Sequence, residues 1–162
     1  MLTTAQEQAL AALIAADPAL SLIPQSIDGA FAVAAELNLA ASPEFVVWRT
    51  SVSQDTIMQN GFDWTRVDNL SVGPARVWEW MFSNAERAIN PSKANVRAGI
   101  EAVWKGTAQD LAVRAAVYVH CKRPATRAEK LLATGTGTTE TPALLTFEGD
   151  LRYQDVLDAW GI

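Results

Sequence analysis

Signals that open and close helices recur at short intervals in this chain and confine it to short elements. Thr4 followed by Glu7 has the spacing of a capping box, in which each side chain satisfies the other residue's free backbone N–H. The box opens an apolar run that Asp17-Pro18 stops, so a helix is predicted over 4–16. Ile27, Phe31, Ala34 and Ala35 lie at helical spacing, and Asp28 sits early, where the helix dipole favours an acid; this predicts a helix over 27–38. Ser53 to Asn60 reads as a short helix stopped by Asn60-Gly61, and Asp63 caps a single turn through Asp68. From Gly73-Pro74, the residues Val77, Trp78, Met81, Phe82 and Ala85 repeat at three and four, which predicts a longer amphipathic helix to Ile89. Lys93 to Lys105 buries Val96, Ile100, Val103 and Trp104, with Gly106 as its left-handed cap. Thr107 with Asp110 opens a helix to Cys121 that carries Leu111, Ala115, Tyr118 and Val119, and Thr126 with Glu129 opens a short one to Ala133.

Strand signals are scarce. Phe45 to Val52 is β-branched and aromatic, yet it suits a buried helix start or an extended core segment equally well. The expected fold is therefore all-α: a compact single-domain helical bundle over 1–133, a Gly/Thr hinge over 134–141 and an extended C-terminal arm with a short helix over 142–162. Thr134-Gly-Thr-Gly-Thr-Thr-Glu-Thr141 offers no side chain to anchor a core and reads as an exposed flexible loop. The arm is apolar again, with Leu144, Leu145 and Phe147, then Tyr153, Val156, Leu157 and Trp160 on one helical face. It must bury those groups on its own domain or on another subunit.

At 162 residues, 49% apolar and 19% charged, the chain has the composition of a globular domain rather than of a disordered segment. One cysteine, Cys121, forbids an internal disulfide, and one histidine, His120, leaves the usual zinc ligand sets unfilled. No apolar run approaches the roughly 20 residues that span a bilayer. Glu7 stands where an export leader wants a basic residue, so synthesis in the cytoplasm without export is expected. The net charge of -5 is uneven, because residues 1–44 hold Glu7, Asp17, Asp28, Glu36 and Glu44 with no Lys or Arg. Such a surface argues against wrapping DNA through its phosphates.

Chemistry finds little support. Neighbouring residues on a helix point about 100° apart, so His120 is poorly placed to activate Cys121, and a helix end with a buried cysteine is the simpler reading. No Gly-x-Ser-x-Gly elbow is present, and Gly135-Thr-Gly137 lacks the Lys-Ser or Lys-Thr of a phosphate loop. Carboxylates occur singly, so no catalytic, cofactor or metal residue is nominated. Two features remain. Lys122, Arg123, Arg127 and Lys130 form a basic cluster, and 123, 127 and 130 share a face if the helix there is continuous, which gives either a solvated face or a dock for an acidic partner. Six tryptophans, Trp48, Trp64, Trp78, Trp80, Trp104 and Trp160, are too many for one small core. Trp78 and Trp80 face different sides of one helix, so at least one reaches a surface, where aromatics anchor interfaces.

Phe45-Val-Val-Trp-Arg-Thr-Ser-Val52, Asn90-Pro-Ser-Lys-Ala-Asn-Val-Arg97 with Val103-Trp-Lys-Gly106, and above all Ala125 to Gly137 and Thr146-Phe-Glu-Gly-Asp-Leu-Arg-Tyr-Gln-Asp155 carry a resemblance across most of the chain. It resembles small structural proteins of tailed bacteriophages and prophages, and most of all the head-tail connector (adaptor or head completion) family. The resemblance implies a non-enzymatic virion protein at the head-tail interface. By analogy it forms a homo-oligomeric ring, a dodecamer, that meets the portal protein on one side and tail, stopper or nozzle proteins on the other. DNA would slide through the lumen without specific binding, repelled by the carboxylates of residues 1–44. On this reading Lys122, Arg123, Arg127, Phe147, Tyr153, Val156 and Trp160 are the interface residues, with the aromatic tail docking on a neighbour. The alternatives are a tail terminator or minor capsid protein, a small enzyme using Cys121 and His120, or a DNA-binding regulator with Arg123, Arg127 and Lys130 on a recognition helix.

Overall fold

The computed structural model describes residues 1–59 and 61–162. In chain order the elements are α1 (Thr4–Ala16), a 3-10 turn (Leu20–Leu22), α2 (Ile27–Leu37), β1 (Val46–Trp48), β2 (Val52–Ser53), α3 (Gln54–Ile57), α4 (Thr65–Asp68) and α5 (Val72–Met81). There follow β3 (Ala88–Ile89), α6 (Ala94–Val103), α7 (Ala108–His120), β4 (Lys122–Pro124), α8 (Arg127–Leu132), β5 (Ala133–Thr134), β6 (Leu144–Leu145) and α9 (Tyr153–Trp160). With 51% helix and 11% strand in small sheets, the fold is mixed α and β, which corrects the all-α expectation. β1 and the start of β2 fall in the strand-like run Phe45 to Val52, whose state the sequence left open, and the other strands are two- and three-residue pieces too short to carry a readable alternation.

The chain divides into two compact units rather than one bundle. Unit 1 comprises Met1–Val47 and Pro124–Ile162, and unit 2 comprises Trp48–Arg123.

Unit 1 is built on α1, α2, α8 and α9, which bury Leu10, Ile14, Val33, Leu37, Leu132 and Val156 in one core. Thr3, one residue earlier than expected, caps α1: its hydroxyl accepts from Gln6 N, and Gln6 Oε1 accepts from Thr3 N at 2.9 Å. The extended arm of the sequence reading is corrected. α9 packs on α1 and α2 and buries Val156 and Leu157 there, while Gln154 and Asp158 on its other side stay exposed. Asn38, the C-cap of α2, holds this segment in place, donating from Nδ2 to Leu151 O at 3.0 Å and accepting from Leu151 N at 2.8 Å. The Gly/Thr stretch is anchored through backbone where side chains could not serve. Val46 N donates to Gly137 O at 2.7 Å, and β5 pairs antiparallel with β6, Ala133 opposite Leu145. Gly137, at φ 68°, lies against the Phe45 ring so closely that a Cβ there would collide with it.

Unit 2 surrounds an aromatic core. Trp78 meets Trp104 edge-on at 5.3 Å and Phe82 at 5.1 Å, and Phe62 stacks on Trp78 at 5.9 Å. α5 ends at Met81, eight residues short of the expected end, because Asn84 takes over the backbone partners. Its side chain donates to Ala88 O at 2.6 Å and accepts from Ala88 N at 3.1 Å, and Arg87 adopts φ 47°. Ala88 and Ile89 are thereby released to pair with Ser53 and Val52. α7 buries Val113 and Val117, with Cys121 below them, and leaves Leu111 and Val119 exposed. The inward face is set by Asp110, which Arg66 draws into the unit through a 2.6 Å ion pair. Of the expected Asn60-Gly61 stop after α3, Asn60 lies outside the described residues; Gly61 adopts φ 92°.

Candidate functional site

The nominated basic cluster is broken up. α7 stops at His120, Lys122 and Arg123 continue in β4, and Thr126 caps a new helix, so the continuous basic face is corrected. Lys122 Nζ lies over the Trp48 ring at 5.2 Å and the Tyr118 ring at 5.8 Å, while Arg97 covers Trp48 at 5.0 Å. These cations solvate the rim of the aromatic core. Arg127 donates to Asp17 Oδ2 at 2.9 Å and also pairs with Glu36, so it ties α8 to the end of α1 and to α2 within unit 1. Lys130 sits 5.7 Å from the Phe45 ring centre.

The tail residues fall into three environments. Val156 is 0% exposed in the unit 1 core, which corrects its assignment to an interface. Phe147 is half-buried against the same core. Trp160, half-buried, forms one wall of a cleft of about 380 Å³ between α1, the 3-10 turn and α9, with Ile14, Ile23 and Ala15 opposite. Of the four tail residues nominated for an interface, Tyr153 alone is exposed, and it stacks on Phe31 with ring centres 4.3 Å apart.

That stack marks a surface that the sequence reading passed over. α2 carries just two charged residues, Asp28 and Glu36, in eleven, and Glu36 is engaged by Arg127. Its inner side, Ala30, Val33, Ala34 and Leu37, is buried; its outer side presents Ile27, Phe31, Ala32 and Ala35, with Phe31 54% exposed. A helix apolar on both sides has the composition of a buried one. The signal was legible as an almost charge-free helix.

Unit 2 has a counterpart. On α5, Trp78, Met81 and Phe82 face the core and α6, while residues two positions on, 200° around the helix, must face out. Trp80 is 69% exposed at the centre of the outward side, flanked by Val77 and Val72, with Arg76 one turn before it and Glu79 at the edge. Trp64, also exposed, packs edge-on against Phe62.

Reactive chemistry has few footholds. Burial pushes the Cys121 thiol up to about 12, which keeps it protonated and unreactive at neutral pH. Among the described residues no group of three His, Cys, Asp or Glu is arranged to hold a metal ion, and no helix is long and apolar enough to cross a membrane. No protein-family model, curated protein or solved structure matches this chain.

Proposed function

We propose that this chain is a virion structural protein of a tailed phage or prophage, an adaptor at the head-tail joint that works by being covered, on several sides, by other subunits. The observation that carries the reading is the pair of helix faces with buried-type composition lying open in a single chain, Ile27 and Phe31 with Tyr153 on α2 and α9, and Val77 and Trp80 on α5. Exposed aromatic and aliphatic clusters rimmed by polar residues are what assembly surfaces are made of. A buried, high-pKa thiol favours this reading over an enzyme built on Cys121 and His120. The engagement of Arg127 by Asp17 and Glu36 likewise weighs against a recognition helix for DNA. The test is deletion of the gene from a phage or prophage that encodes the chain. Filled heads and free tails that fail to join are expected, with the protein found at the joint of intact particles. Normal particles from the deletion, or turnover of a substrate by the isolated chain, would refute the proposal.

A further inference from the structure

The two units differ sharply in charge. Unit 1 holds 11 carboxylates against 3 basic side chains, whereas unit 2 holds 7 against 10, giving nets of -8 and +3 that add to the chain's -5. On the faces themselves, Asp28 lies beside Ile27 and Phe31 on α2, while on α5 Arg76 lies one turn from Trp80 and Glu79 lies at the edge of the same side. A symmetric contact of α2 face with α2 face would set net -8 against net -8, and one of α5 face with α5 face would set +3 against +3. The unlike pairing alone brings units of opposite net charge together around apolar contact.

From this we infer that the occupant of each face is a second copy of this chain, bound head to tail, with the Val72–Val77–Trp80 side of α5 on one copy seated on the Ile27–Phe31–Tyr153 patch of the next. The inference deepens the assembly reading by naming the two surfaces of its self-contact. Such a contact is heterologous, so every bound copy leaves one face of each kind free for another.

Two variants decide it. Trp80→Glu removes only the donor face and Phe31→Glu only the acceptor face; both side chains are exposed, so each variant is expected to unfold at the wild-type midpoint. If Phe31→Glu shifts that midpoint, Ile27→Glu, exposed on the same face, replaces it. By sedimentation, wild-type protein is expected to form assemblies above 17.5 kDa that weaken as salt rises, and each variant alone is expected to be monomeric. Mixed, the two variants retain one intact pair of faces and are expected to form a heterodimer that grows no further. Wild-type protein that stays monomeric at every concentration would overturn the inference, as would variants that still assemble. So would Trp80→Glu abolishing assembly while Phe31→Glu leaves it intact, the result of a symmetric α5 contact. A chain that reaches the head-tail joint of particles and yet fails these tests would sink the head-to-tail contact and leave the virion role standing.

Discussion

At Gly137 two requirements meet, a positive φ and the absence of a Cβ beside Phe45. Gly137→Ala is expected to cost about 2 kcal/mol, read as a lower denaturant midpoint, because the side chain must displace an aromatic ring from a strained backbone position. Cys121 reports integrity of unit 2: with its thiol pushed up to about 12 by burial, alkylation at neutral pH should be slow in the native protein and fast in denaturant. Equal rates in both states would mean the thiol is not enclosed. Asp110 makes a pH-dependent contribution. The Arg66 guanidinium, and then the Thr107 hydroxyl, hold its carboxyl below the ordinary value of 3.8. The unfolded chain thus takes up the proton first, so this contribution is complete above 3.8 and is lost as pH falls through the depressed native value. Unfolding followed from pH about 5 down to about 2 should have a shallower acid limb in Asp110→Asn than in wild type.

Among the elements, α9 makes the clearest prediction. Because Val156 and Leu157 lie in the unit 1 core and Leu151 is clasped by Asn38, deleting 142–162 should destroy cooperative unfolding of unit 1, whereas a detachable arm would leave it unchanged. Leu157→Ala alone should cost about 2–5 kcal/mol, the range for emptying a buried aliphatic site. The same contrast explains what could be read from the chain. The capping boxes at Thr107 with Asp110 and Thr126 with Glu129 stand where expected, since their partners are three residues apart. The seat of α9 was hidden because its clasp joins residues separated by 113 positions, and no local pattern encodes that pairing. The break between Lys122 and Arg127 was legible from Pro124 and the Thr126 cap, whereas the three-residue strand that fills it was not, and the condition of a continuous helix under which the basic residues would share one face is not met. Trp80 was legible from its spacing to Trp78, and the open face of α2 from its lack of charge.

For the whole molecule, two units of opposite net charge each hold an apolar helix face outward, and the account stands on those faces being covered by other subunits. Hydroxyl-radical footprinting of the purified full chain, dilute and then concentrated, measures that cover residue by residue. Trp104, 0% exposed, should be protected throughout, while Trp80 and Phe31 should be oxidised in dilute protein and become protected together as assemblies form. Trp80 and Phe31 remaining equally reactive at both concentrations would contradict the account.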